Sequence, residues 1–129
     1  MIEITIHHEL IDLNNYINAE RTNRFKAAKI KKEQTELVAY EVRKAMKNGA
    51  KIKPEHFPLD FEFRWFMKNK RKDKDNIVFA KKFCFDGMIS SGLIENDGWK
   101  EIGSFKDVVV VDKENPRVEI KIRTSEELK

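Results

Sequence analysis

Cysteine is nearly missing from this chain: there is one, Cys84, in 129 residues. It has no partner for an internal disulfide and no companion thiolates for a zinc site. Long apolar runs are missing as well. None approaches the ~18 residues needed to cross a bilayer, so no membrane partner is expected. The opening stretch, Met1 to Leu10, carries acids and histidines where a secretory leader would place lysines and a long apolar block. A reducing, cytoplasmic compartment is the expectation. Repeats, linkers and low-complexity tracts are also lacking, so residues 1–129 read as one domain with a single sheet-and-helix core.

What is present is charge. Hydrophobic residues make up 40% of the chain and charged residues 37%, which suits a compact domain with a heavily charged surface rather than a disordered chain. The net charge of +4 is unevenly placed. Glu20 to Lys53 holds eleven basic residues against four acidic ones, and Arg64 to Lys82 holds eight against two. The stretches 1–19, 54–63 and 93–129 are net acidic. Two basic blocks are the footprint of a polyanion-binding face, although an ordinary solvated Lys-rich helix gives the same count.

Periodicity supplies the elements. Ile2, Ile4 and Ile6 alternate with polar residues, predicting a half-buried strand. A polar segment around Asp12, Asn14 and Asn15 leads into a long helix, Asn18 to Lys47. Its apolar stripe includes Ile30, Leu37, Val38 and Ala45, and it stops at Asn48-Gly49. Leu59, Phe61, Phe63 and Trp65 alternate with Asp60, Glu62 and Arg64 as a second strand. A basic loop, Met67 to Lys74, follows. Asp75 stands as N-cap to a second helix from Ile77 to Met88. Val108 to Val111 predicts a third strand, and Val118, Ile120 and Ile122 a fourth. Asn115-Pro116 between them predicts a hairpin. The order β-α-β-α-β-β implies an α+β domain, a small mixed sheet packed by two helices.

Chemistry concentrates at Asp73-Lys74-Asp75-Asn76. In an extended segment, residues two apart point the same way, so both carboxylates can face one point. Hard oxygen donors of this kind suit Mg²⁺ or Mn²⁺. Surrounding Lys70, Arg71, Lys72 and Lys74 could simply neutralise the acids, or they could hold a phosphodiester beside a metal that the acids hold. Along the helix, Lys82 and Asp86 follow Asp75 by seven and eleven residues and fall near one face. They also fit an exposed i,i+4 pair. Asp97 adds an acid in the turn after the helix.

The pattern Asp73-x-Asp75-Asn76, a helix ending Phe85-Asp86-Gly87-Met88, then Gly92-Leu93-Ile94 and Asp97 resembles the core signature of the RusA family of Holliday junction resolvases. Leu13-Asn14-Asn15 and the basic helix near Asn18 to Arg24 are similar to the lead-in of phage-type members. The resemblance spans nearly the whole chain. It implies a structure-specific endonuclease that resolves four-way DNA junctions by paired phosphodiester hydrolysis, leaving a 5′-phosphate and a 3′-hydroxyl. Asp73, Asp75 and Asp97 would be the catalytic metal ligands, and Lys82 the helper at the phosphate. A longer helix between Asp75 and Asp86 keeps Lys81 as the alternative. Asn96 stands where the family often has an acid. Arg21, Arg24, Lys26, Lys29, Lys31 and Lys32, with Lys70, Arg71 and Lys72, would grip branched DNA. The implied cofactor is Mg²⁺, with Mn²⁺ as a substitute and no organic cofactor. The implied assembly is a homodimer in a bacterial or phage-infected cell. Cleavage of flaps or forks, an RNase, and a non-catalytic DNA-binding module are the competing functions.

Other conspicuous residues have plainer explanations. His7 and His8 fit a strand edge without companion ligands. Phe61, Phe63, Trp65, Phe79, Phe83 and Phe85 fit core periodicities, and Cys84 fits a buried small hydrophobe. Phe66, next to the basic loop, breaks the alternation and stays open as a DNA contact.

Overall fold

The structure is a computed structural model that describes residues 1–124. Its elements run β1 (Ile2–Ile6), α1 (Leu13–Thr22), α2 (Arg24–Lys47), a 3₁₀ turn (Pro54–His56), β2 (Leu59–Met67), α3 (Lys74–Val78), α4 (Lys81–Ser91), β3 (Ile102–Val111) and β4 (Arg117–Arg123). The expected β-α-β-α-β-β order holds, with each helical region divided in two.

Both divisions have local causes. Asn23 adopts an extended backbone, ends α1 by donating its N–H to Ala19 O (3.0 Å), and starts α2 by accepting from Phe25 N–H (2.8 Å). A single asparagine thus serves as the stop of one helix and the N-cap of the next, and the long helix expected from Asn18 becomes two. At Phe79–Ala80 the backbone stays right-handed but tightens: Lys82 N–H reaches Phe79 O and Phe83 N–H reaches Ala80 O, three residues back. Asp73, rather than Asp75, occupies the N-cap position of α3. Gly87 does not end α4. A Cβ there would lie 2.5 Å from Val38 Cγ1, so glycine lets α4 cross α2 in close contact. The helix ends at Gly92, whose φ of 87° is the left-handed C-cap conformation.

The sheet order is β1-β4-β2-β3, antiparallel except for the β2–β3 pair. This overturns the expected β3–β4 hairpin, because β2 lies between the two strands. The connection 112–116 instead spans the end of β2, where Asp112 N–H donates to Met67 O (2.7 Å). β3 also begins earlier than alternation suggests. Leu59 pairs with Ile102 but Asp60 pairs with Ser104, so Gly103 is the extra residue of a bulge.

One face of the sheet carries the core. Leu59, Phe61, Phe63, Trp65 and Met67 of β2 alternate inward, with Ile120 and Ile122 of β4 beside them. α2 and α4 cover this face through Val38, Val42, Phe83, Cys84 and Met88, all fully buried. Phe79 and Phe85 pack against the same cluster. Burial pushes the Cys84 thiol up, which makes it inert. Phe66 keeps the strand register on the opposite face, where the Arg117 guanidinium lies 3.7 Å from its ring centroid. The ring is half-buried, with Arg117 against it. No helix among the described residues is long and apolar enough to cross a membrane.

Candidate functional site

β1, β2 and β3 all point the same way, because β4 is antiparallel to both β1 and β2. Their C-terminal ends meet at one pole of the domain. Loops beyond such strand ends are where open sheets with parallel strands assemble ligand sites. Here the pole is made from residues 7–12 and 68–76, tied together where Lys68 N–H donates to Glu9 Oε1 (3.3 Å).

Asp12 is the anchor of this pole. It is 3% exposed and caps α1 by accepting from Asn15 N–H and Asn15 Nδ2, each at 2.8 Å. Its other partner is the Lys72 ammonium at 2.8 Å. Burial works to raise the Asp12 carboxyl, but Lys72 and the donors of Asn15 outweigh it and hold the group below its ordinary value. A second tie joins the same elements: Asn14 N–H donates to Asn76 Oδ1 at 2.9 Å. The first turn of α1 is thereby fastened to the segment 72–76 from both sides.

Asp73 and Asp75 sit on that fastened segment, at the amino end of α3, and both are exposed. They do not lie on one extended stretch as expected, since Asp75 is already in the first turn of the helix. Neither carboxylate forms a salt bridge with a described residue. Asp75 Oδ1 accepts only the N–H of Asn76 (3.0 Å). Lys72, the one cation of the loop that ion-pairs with a described residue, is committed to Asp12 instead. Lys70, Arg71 and Lys74 are exposed around them.

Asp97 is elsewhere. It precedes Gly98, whose carbonyl accepts from Ile102 N–H (2.9 Å) at the start of β3. Ile102 pairs with Leu59, at the opposite end of β2 from the loop that bears Asp73 and Asp75. The nine residues of β2 span ~27 Å, so one chain does not bring the three aspartates together. Among the described residues no three His, Cys, Asp or Glu side chains converge at metal-binding spacing. Asp73 and Asp75 have the donor chemistry that suits a hard divalent cation, but no third acid joins them among the described residues.

The two candidate lysines differ sharply. Lys81 is held against Asp107 in an ion pair, with its ammonium 4.1 Å from the Phe105 ring centroid. Asp107 also accepts from Trp65 Nε1 at 2.9 Å. Lys81 therefore locks α4 to the sheet. Lys82 is exposed on the first turn of α4, one residue on, and makes no ion pair with Asp86. The i,i+4 pair that would have explained both residues is not formed.

Arg21, Arg24, Lys26, Lys29, Lys31 and Lys32 are all exposed along the α1–α2 hairpin. Among the described residues only Lys29 of these has an ion-pair partner, Glu33 at a loose 3.9 Å, and Arg24 lies over the Phe25 ring. His7 and His8 are exposed, with His7 3.9 Å from Glu41. Comparison with protein-family models and with curated proteins finds no match for this chain.

The sequence offered a weak sign of Asp12: an acid followed three residues later by asparagine fits a helix cap. Its pairing with Lys72 and the Asn14–Asn76 bond join residues about sixty positions apart, and no local pattern announces them.

Proposed function

We propose that this pole is the phosphodiester-cleaving site of a metal-dependent endonuclease for branched DNA, in line with the resemblance to RusA resolvases. One observation carries the reading: in the most basic loop of the chain, Asp73 and Asp75 are left unpaired while Lys72 is spent on Asp12. Acids present merely to balance local cations would have taken those cations. Unpaired carboxylates among free ammonium and guanidinium groups instead leave both halves of a nuclease site available.

Asp73 and Asp75 are the residues that would hold Mg²⁺ or Mn²⁺. When bound, such an ion activates water and offsets charge on the phosphate. The chain does the rest. Lys70, Arg71 and Lys74 hold the phosphate backbone over the carboxylates, and exposed Lys82 reaches the scissile phosphate or the leaving oxygen. The Asp12–Lys72 and Asn14–Asn76 contacts keep the loop in place. The α1–α2 hairpin extends the cationic surface along the DNA arms. A four-way junction has two-fold symmetry, so paired cuts call for a homodimer with two sites.

The deciding test is cleavage of a labelled four-way junction beside linear duplex, flap and RNA controls, in Mg²⁺ and in EDTA. Paired, metal-dependent nicks in opposed strands of the junction are the expected result. Equal cutting of flaps would widen the substrate class. Tight junction binding without cutting in either Mg²⁺ or Mn²⁺ would make the protein a DNA-binding module.

A further inference from the structure

α1 and α2 meet in a corner that folding leaves bare. Every residue from Glu20 to Lys26 is exposed, and the run is bracketed by buried Ala19 and Ala27. Three of its seven residues are cations, Arg21, Arg24 and Lys26, against one acid, Glu20. Among them stands Phe25, 71% exposed. A single exposed apolar side chain is ordinary, but this one differs from the other exposed rings in its company. Trp99 follows Glu95 and Asp97 and precedes Glu101, with Lys100 as the one cation beside it. Tyr40 carries Lys44 across its ring, with Glu36 and Glu41 alongside. Phe25 is the large exposed ring set among cations.

The corner is also rigid. Asn23 donates its N–H to Ala19 O (3.0 Å) and accepts the Phe25 N–H on its side chain (2.8 Å), which fixes the backbone that carries the ring. The Arg24 guanidinium lies 5.1 Å from the ring centroid and steadies it from one side. Near the other end of α1, Tyr16 packs against Phe79 and Phe83, with ring centroids 5.5 and 5.8 Å apart, close to the Asn14–Asn76 bond. α1 is therefore a fixed spacer of ten residues, about 15 Å. It runs from the segment that bears Asp73 and Asp75 to the corner that bears Phe25, the rise of roughly four base pairs.

We propose that Phe25 is a wedge whose ring stacks on an opened base at the branch point of bound DNA, while Arg21, Arg24 and Lys26 hold the phosphates around it. A phenyl face stacks on any base without reading its identity. Insertion favours DNA whose bases are already unstacked, because an intact duplex must first be pried apart at a free-energy cost. The ring thus selects branched over linear DNA, which contacts to phosphates alone do not. The choice of branched DNA as ligand rests on the nuclease reading above; insertion of the ring needs no metal.

The experiment uses the full chain in EDTA, so that nothing is cut, with four-way junctions carrying 2-aminopurine at the branch point and linear duplexes of the same sequence. Phe25→Ala, Phe25→Trp and Lys26→Ala are compared with the wild type, and circular dichroism checks that each is folded. The wild type brightens the junction probe as the base leaves its stack. Phe25→Ala leaves it dark and loses about five- to a hundredfold in junction affinity, with little change on duplex. Its slope of log affinity against log salt is unchanged, because no charge is removed. Phe25→Trp restores affinity and the preference for the junction. Lys26→Ala does the reverse of Phe25→Ala: the salt slope falls by about one and the probe still brightens.

Wild-type junction affinity in Phe25→Ala overturns the wedge. So does an equal loss on junction and duplex, or a probe that brightens as much with alanine as with phenylalanine. Failure of the nuclease reading looks different. A wild type that prefers junctions through Phe25, yet cuts in neither Mg²⁺ nor Mn²⁺, keeps the wedge and loses the nuclease. A wild type that binds neither junction nor duplex overturns both.

Discussion

At the scale of single residues, the candidate site divides into groups that hold shape and groups left free to act. Asp12 belongs to the first. Its carboxyl is held below its ordinary value, so the stability it lends is present above the usual carboxylate range and is lost as pH falls through the lowered folded value. Asp12→Asn keeps an oxygen to cap α1 but should cost about 2 kcal/mol at neutral pH through loss of the charge-assisted bond to Lys72. That deficit should shrink below about pH 4, and urea unfolding at a series of pH values measures both effects. Asp75→Asn, by contrast, should leave stability unchanged and junction affinity equal or tighter. It should lower cleavage by at least about a hundredfold. Fluorescence anisotropy and a cleavage time course separate the two, and a wild-type rate would remove Asp75 from the site. The two lysines should part in the same way. Lys82→Ala should slow cutting with little change in affinity, whereas Lys81→Ala should lower thermal stability because Asp107 loses its partner beneath Phe105.

At the scale of elements, how much could be read from the sequence depended on whether the controlling contact was local. The alternation of Ile2, Ile4 and Ile6, and of Leu59 to Trp65, is intrinsic to each strand, and both strands stand where it placed them. β3 was half visible, because the bulge at Gly103 shifts the alternation just where the strand begins. The β3–β4 hairpin was inferred from a short loop, yet loop length cannot reveal that β2 lies beneath the connection. No local pattern explains a glycine at position 87 inside a helix, because the reason for it, Val38, is on another helix. Gly87→Ala should destabilise the domain by about 3 kcal/mol despite alanine's better helix propensity. Adding Val38→Ala should recover part of that loss, and a thermal double-mutant cycle gives the coupling. On the α1–α2 hairpin, Lys26→Ala, Lys31→Ala and Lys32→Ala remove exposed cations that make no ion pair with a described residue. Each should reduce the slope of log affinity against log salt by about one, with unaltered stability.

At the scale of the whole molecule, one core holds the described residues together, and the site loops rest on its rim. The carboxylate pair and the basic blocks were visible in the sequence, while the fastening of α1 to the 72–76 segment and the distance to Asp97 are properties of the assembled sheet. Sheet order has a further consequence for how the molecule comes into being. β4 sits between β1 and β2 and leaves the ribosome after the other three described strands. Until it arrives, β1 has no strand to bond with, and the apolar faces of Ile2 to Ile6 and Leu59 to Met67 have no bridge. Ile4 must find Ile120 across almost the entire chain, a pairing with a high loop-closure cost that slows folding. β4 is thus a keystone: the sheet cannot close piecemeal behind the translating ribosome, and the pole with its aspartates takes shape only after β4 slides into the gap.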